Sequence, residues 1–349
     1  MRVMKRPPFA FHGLPPAITT AIAAAAFVIA LAVLTTFAGW GKVGSRLHPS
    51  SSFWFAVAFA AELSSFCAYV LAYRSVAEVA GGRRLRLSES IRLVAVGFGA
   101  FLAKGGAALD SSALRGEREN EREGEIRVLA LDALEHAPLA PAACAAGILL
   151  LAEGKSTPGL DFTVPWATLV PLGAILAAVG VEHRERFIGR PGWRGKLGNA
   201  LEAIHLLFSL ARDPRKHWPA FVGATVYWAG DVFCLWAALK PFDAAPAVAP
   251  IVIAHAVGYS LTRRTLPFAG AGIVEVIMPL TLVACGTPFP GAILGVLTYR
   301  IFNLWLPLLP GAAALRGLRT KDPALPKTAA DIDRGVARRR AREDRLHAG

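Results

Sequence analysis

Long apolar runs constrain the fold of this chain more than any other feature. Several stretches of about 18 to 22 residues carry at most one charge each. At about 1.5 Å of helix rise per residue, such a run spans the roughly 30 Å hydrocarbon layer of a bilayer. Hydrophobic residues make up 54% of the 349 residues, and the mean hydropathy is +0.45, which is more apolar than a soluble fold of this length needs. The sequence therefore predicts an all-α, polytopic membrane protein.

The placement of Lys and Arg predicts how these runs cross the membrane. Basic residues cluster before the first run, after the second, between the fourth and fifth, between the sixth and seventh, and after the last. Because cytoplasmic loops carry an excess of Lys and Arg, we expect about eight crossings with both termini on the cytoplasmic side. The predicted spans are 18–37, 53–73, 128–152, 164–181, 218–239, 247–261, 266–286 and 292–309.

Three further segments have patterns that do not predict a simple crossing. Segment 91–102 has about a dozen apolar residues before a glycine-rich stretch, which favours a re-entrant or broken helix. Segment 197–211 places its apolar residues on one helical face, as in a helix that lies in the headgroup plane. Segment 316–349 is rich in Arg without apolar periodicity. We therefore expect a transmembrane domain over 1–315 and a basic cytoplasmic tail over 316–349.

Composition and motifs argue against several classes of function. The net charge of +13 could indicate nucleic acid, but the basic residues flank the apolar runs and lack interleaved aromatic residues, so we expect no nucleic-acid partner. The four cysteines show no CxxC spacing. No phosphate-loop, HExxH or GxSxG motif occurs, so we expect no metal, no cofactor and no soluble-type catalysis.

Ionisable residues inside the apolar runs are the first candidates for a function. Each one costs about 2.5–3.5 kcal/mol to insert at bilayer depth. They are Glu62, Lys104, Asp110, Asp132, Asp231, His255, Glu275 and Arg300. An acid and an arginine on neighbouring helices can also satisfy each other without any substrate, and for Glu62 and Asp231 this structural alternative stays open.

Two clusters combine a short, glycine-broken apolar segment with basic residues and an acid, one in each half of the chain. Such a correspondence indicates a possible inverted repeat with a substrate site between the halves. Glycines let the backbone bring helix N–H groups to an anionic headgroup, and Lys or Arg neutralises its phosphate. Close helix packing by small residues is the alternative. The predicted binding residues are Lys104, Gly105, Gly106 and Asp110 of the first cluster, Arg263, Arg264, Gly270, Gly272 and Glu275 of the second cluster, and Arg300 of the final span.

The second cluster and the final span resemble the flippase-like membrane domain of lysylphosphatidylglycerol synthases and their stand-alone relatives. The residues that carry this resemblance are Pro267, Gly270, Gly272, Glu275, Arg300, Trp305, Pro307 and Gly311. Gly105, Gly106 and Asp110 match the earlier glycine-rich segment of the family. The chain departs from the family at Ala269 and Ala271, where adjacent glycines are usual. No aminoacyl transferase domain is evident, so the resemblance implies the flippase-like part alone, without synthase activity.

The resemblance implies a bacterial inner-membrane protein that translocates or binds an anionic phospholipid or a polyprenyl-linked headgroup. Its partners would be membrane lipids, and Asp110 and Glu275 would line one midplane cavity. A scaffold for a separate membrane glycosyltransferase or lipid synthase is the second hypothesis, with the tail and the 197–211 helix as docking surfaces. A third hypothesis is a membrane-embedded enzyme that uses Asp132, Glu135 and His136 as acid and base. No nucleophile accompanies these residues in the sequence.

Overall fold

A computed structural model of the protein describes residues 16–100, 110–111, 113–114, 120–154, 160–260 and 270–311. Within these residues the chain is helical and contains no strand, as predicted. The helices of eight residues or more are α1 (Pro16–Ala38), α2 (Phe53–Glu78), α3 (Leu87–Ala100), α4 (Glu121–Ala152), α5 (Leu160–Glu182), α6 (Trp193–Arg212), α7 (Pro214–Leu239), α8 (Val248–Ser260), α9 (Val274–Ala284) and α10 (Phe289–Arg300).

Six of these helices are long and apolar enough to cross a membrane: α1, α2, α4, α5, α7, and α10 with its extension to Gly311. They correspond to six of the predicted spans, so the polytopic bundle is confirmed. The other two predicted spans coincide with the shorter helices α8 and α9. Because a helix of fewer than about 17 residues is short for a full crossing, the number of eight crossings stays a prediction.

The remaining predictions about segments differ in how far the structure reaches them. Helix α3 covers most of segment 91–102, but residues 101–109 lie outside the described part of the chain, so the re-entrant turn stays a prediction. The basic tail, 316–349, also lies outside it. Segment 197–211 forms the helix α6, whose Leu201 and Leu210 are buried against the bundle.

Helices α2 and α7 form a closely packed antiparallel pair at the centre of the bundle. A Cβ atom at Gly223 would lie 2.7 Å from the Ala68 carbonyl oxygen, and one at Gly230 would lie 2.9 Å from the Ala61 carbonyl oxygen. The hydroxyl of Ser65 donates to a backbone carbonyl of α7 at 2.7 Å. Small residues let helix backbones approach this closely in membranes, where dispersion and interhelical hydrogen bonds drive association.

One end of this pair carries aromatic and basic residues. The Lys240 ammonium lies over the rings of Trp236 and Trp54, 4.3 and 5.7 Å from their centroids. The Arg46 guanidinium donates to the Phe242 carbonyl at 2.8 Å. Tryptophans paired with cations are typical of the bilayer interface. This end, which the charge pattern predicts to lie outside the cell, therefore has the residue composition typical of a membrane boundary.

A buried arginine caps α2 at the other end. Nη1 of Arg127 donates to the carbonyl oxygens of Val76 and Val79 at 2.9 and 3.0 Å. These are among the carbonyls that a helix leaves without an intrahelical partner at its C-terminus. The guanidinium lies so close to Gly82 that a Cβ atom there would meet it at 2.4 Å. The cap fixes the turn that leads from α2 to α3.

Candidate functional site

The buried ionisable residues of five helices converge on one network. Glu62 of α2, Asp231 of α7, His255 of α8, Glu275 of α9 and Arg300 of α10 each expose 5% or less of their surface. Because a charge at bilayer depth is expensive, its partners decide whether it is tolerated. The network contains the following contacts.

Arg300 and Glu275 form a buried ion pair. Nε of Arg300 donates to Oε1 of Glu275 at 2.6 Å, and the Gly272 N–H donates to Oε2 at 2.6 Å. Both carboxylate oxygens are therefore held. Gly270 and Gly272 have φ angles of 67° and 89°, and a Cβ atom at Gly272 would also meet Ala26 of α1 at 3.1 Å. Glycine is required here because other residues rarely adopt this backbone conformation.

Asn303 joins this ion pair to the other acids. Arg300 is followed by a π-helical turn, Ile301–Trp305, which places the amide of Asn303 between α2 and α7. Its Nδ2 donates to Oε1 of Glu62 at 3.2 Å and to Oδ1 of Asp231 at 2.9 Å. Nη1 of Arg300 lies 3.5 Å from Oδ1 of Asn303. Single π-helical turns inside α-helices occur frequently at functional sites.

His255 contacts the other oxygen of Asp231 and the hydroxyl of Tyr299. Nε2 of His255 lies 3.0 Å from Oδ2 of Asp231 and 3.3 Å from Oη of Tyr299. The imidazole packs edge-on against Trp228 with ring centroids 5.3 Å apart. A nitrogen that faces a carboxylate this closely carries a hydrogen and donates it. Asp231 thus receives hydrogen bonds from two sides.

Asp110 belongs to a different level of the bundle. The hydroxyl of Tyr73 donates to Oδ1 of Asp110 at 3.1 Å, and both residues are buried. Tyr73 follows Glu62 by eleven residues on α2, which corresponds to about 16 Å along the helix axis. Asp110 and Glu275 are therefore connected to α2 at separate points. A single cavity that both acids line stays a prediction.

Polar aromatic groups fill the interval between these two levels. The hydroxyl of Tyr69 donates to the Glu135 carboxylate, and the hydroxyls of Tyr227 and Tyr259 are hydrogen-bonded to each other. Nε1 of Trp228 donates to the Glu135 carbonyl. We call this run of groups the polar column; all of its members are buried except Asn303, which is half-buried. Its members are Asp110, Tyr73, Tyr69, Glu135, Tyr227, Tyr259, Trp228, His255, Tyr299, Asp231, Glu62, Asn303, Arg300 and Glu275.

A basic cleft opens beyond the Asp110 end of the column. It has a volume of about 400 Å³ and lies between the end of α2 and the start of α7. Arg74, Arg84, Lys216 and His217 line it together with one acid, Glu78. Small-molecule sites commonly measure about 300–1,000 Å³. This cleft is large enough for a polar headgroup, and it lies at the end that the charge pattern predicts to be cytoplasmic.

The structure therefore brings together four of the predicted binding residues: Gly270, Gly272, Glu275 and Arg300. The other half of the predicted site, Lys104, Gly105, Gly106, Arg263 and Arg264, lies outside the described residues. Among the residues that the structure describes, no group of three or more His, Cys, Asp or Glu side chains could hold a metal ion.

The sequence reasoning missed several members of the column and the cleft. It did not single out Asn303, Tyr299 or Tyr73. A polar amide three residues after Arg300 in an apolar span was the available signal for Asn303. The cleft had no local signal, because its residues come from distant parts of the sequence: the end of α2 with the turn after it, and the start of α7.

Comparison with known protein families assigns the whole of this architecture to one of them. Residues 20–311 match the family described as the lysylphosphatidylglycerol synthase TM region. Comparison with curated proteins finds no match. The matched span includes the polar column, the basic cleft and all six long apolar helices from Thr20 onward. The chain therefore belongs to the family of the lysylphosphatidylglycerol synthase TM region.

Proposed function

We propose that this protein translocates or binds a lipid with an anionic headgroup, either a phospholipid or a polyprenyl-linked phosphate. The observation that carries the proposal is the polar column, which extends about 16 Å along α2 through apolar helices and ends near a basic cleft. Intramembrane ionisable residues typically mark a pathway for a polar or charged solute.

The basic cleft provides the first contact for the headgroup. Arg84 is 90% exposed in its side chain and only loosely paired with Glu78, at 3.9 Å. Lys216 is also exposed. Cations at a membrane surface attract anionic headgroups by about 1 kcal/mol each. The headgroup would bind between these side chains while its acyl chains remain in the surrounding lipid.

Arg300 provides the second contact, deeper in the membrane. Its partner in this conformation is Glu275, so a phosphate that reached it would replace one oxyanion by another. The space beside Glu275 is lined by Phe27, Leu31 and Leu34 of α1 and holds only about 10 Å³. This is the lower limit for a single water molecule, about 10–15 Å³. The described conformation is thus closed at Glu275, and translocation requires α1 to move away from α9 and α10.

The exchange at Arg300 is tested by replacing Glu275 with Gln. We expect Glu275→Gln to abolish headgroup translocation in reconstituted vesicles while leaving expression intact. The neutral amide cannot displace the phosphate from Arg300, so the headgroup would remain bound there. A charged hydrogen bond contributes about 1.5–3 kcal/mol, so the rate should fall by at least about tenfold. The assay follows a fluorescent phosphatidylglycerol that is quenched from one side.

The matched control for this variant is Glu153→Gln, which changes an exposed glutamate at the end of α4. It should translocate the same probe at the wild-type rate. Unchanged translocation by Glu275→Gln would remove this residue from the site.

The role of the cleft is tested by the double variant Arg84→Gln with Lys216→Gln. We expect it to bind short-chain phosphatidylglycerol about fivefold to thirtyfold more weakly, which corresponds to about 1 kcal/mol for each lost cation. Isothermal titration calorimetry in neutral detergent measures this affinity. The control is Arg190→Gln with Lys196→Gln, which removes the same two charges from exposed positions outside the cleft. Equal weakening in both double variants would contradict a specific headgroup site.

A further inference from the structure

Glu62 has one carboxylate oxygen without a hydrogen-bond donor. Its Oε1 accepts from Asn303 at 3.2 Å, whereas Oε2 meets no donor among the described residues. The side chain is only 4% exposed. An ionised carboxylate that is buried with an unsatisfied oxygen is strongly unfavourable. A protonated carboxyl group removes this conflict, because Oε2 then becomes a donor.

A hydrogen-bond acceptor for the protonated carboxyl group of Glu62 is already in place. The groups that face Glu62 are the carboxyl of Asp231 and the thiol of Cys234 on α7, and Tyr299 and Asn303 at the end of α10. From α4, Glu135 reaches α2 at Tyr69, two helical turns away. Asn303 donates to both Glu62 and Asp231 through the same nitrogen, so the two carboxyls lie close together. Close carboxyl groups of this kind share a proton, because both cannot be ionised at little cost.

The charges of the network lead to the same conclusion. Three carboxyl groups, those of Glu62, Asp231 and Glu275, face one guanidinium, that of Arg300, and one imidazole, that of His255. Among the described residues, the carboxylates of this network outnumber its cations by one even when the imidazole is protonated. An uncompensated charge of this kind is destabilising by several kcal/mol at bilayer depth. One additional proton makes the described network neutral.

We propose that Glu62 is a proton-binding site within the membrane and that its carboxylic acid donates a hydrogen bond from Oε2 to Asp231. Uptake of one proton from solvent converts the Glu62 carboxylate to the acid, and release reverses this step. No other bond is made or broken. The site binds hydrogen ions, so its chemistry does not depend on any lipid.

Infrared spectroscopy of the full chain in nanodiscs tests the proton-binding site directly. The wild-type spectrum minus that of Glu62→Gln should contain the C=O band of a protonated carboxylic acid at neutral pH, and this band should shift in D₂O. Subtracting the spectrum of Glu153→Gln should leave no such band. The proposal would be overturned if the band were absent from the first difference, since Glu62 would then be ionised and neutralised by another cation.

Thermal unfolding provides a second readout that does not depend on spectral assignment. Glu62→Gln should unfold at the wild-type temperature, because glutamine mimics the protonated acid and can donate to Asp231. Asp231→Asn should unfold at a lower temperature, because asparagine offers a single acceptor oxygen to His255, Asn303 and the Glu62 acid and has no charge. The proposal also fails if sodium chloride, compared with choline chloride, stabilises the wild type but not Glu62→Gln, since Na⁺ would then occupy the site.

Discussion

Replacing Arg300 with methionine is expected to lower the free energy of unfolding by about 3–5 kcal/mol. The substitution leaves the carboxylate of Glu275 buried, with the Gly272 N–H as its remaining donor in the described contacts. Methionine has a similar apolar stem, so the loss arises from the unpaired charge and not from a cavity. Unfolding in mixed micelles with increasing dodecyl sulfate measures this free energy.

A double variant separates the charge effect from a general intolerance of substitution at this position. Arg300→Met combined with Glu275→Leu removes both charges, and replacing a buried ion pair by apolar groups is often close to neutral. We expect it to recover most of the lost stability but none of the translocation. Arg84→Met, at an exposed side chain, should change the stability little. A double variant as unstable as the single one would show that the ion pair is not the reason for the loss.

Replacing Gly223 with leucine is expected to destabilise the bundle by about 3 kcal/mol, at the upper end of the usual range for overpacking. The new Cβ atom would lie 2.7 Å from the carbonyl oxygen of Ala68 and from the amide nitrogen of Ala72. Both contacts are with backbone atoms, so α2 and α7 must separate. This separation would also draw Glu62 away from Asp231, so the infrared band assigned to Glu62 should shift as well.

Gly173 provides the matched control for this variant. It lies in the middle of α5, and a Cβ atom there would have no neighbour within 4 Å. Gly173→Leu should therefore leave the stability unchanged or raise it slightly, because leucine favours the helix more than glycine does. The comparison is made by thermal unfolding in the same detergent. Similar unfolding temperatures for both variants would contradict the close packing of α2 and α7.

The comparison of Gly223 with Gly173 shows where reasoning from sequence was sufficient and where it was not. Small residues in apolar spans indicate close packing in general, but Gly223 and Gly173 both stand in apolar spans and have different surroundings. The sequence was equally undecided about Glu62 and Asp231, because an acid in an apolar span can have either a functional or a structural role. In these uniformly apolar spans the sequence does not indicate which face of a helix meets its neighbour.

The candidate site was likewise only partly predictable from the sequence. Glu275 and Arg300 were predicted as functional candidates because each is an ionisable residue in an apolar run, and a direct ion pair between neighbouring helices was one of the alternatives. Their contact, 2.6 Å long, depends on α9 and α10 packing side by side. Asn303 connects this pair to α2 through a π-helical turn, a backbone feature without a recognisable sequence pattern.

The sequence by itself determined the helical, membrane-spanning class of this protein, the positions of its six long apolar helices and its family. It could do so because hydropathy is a local property and the thickness of the bilayer fixes the length of an apolar span. Only the tertiary structure decided which buried charges neutralise one another and where a headgroup-sized cleft opens. Those features depend on the rotation and packing of helices such as α2 and α7, which are more than 130 residues apart in the chain.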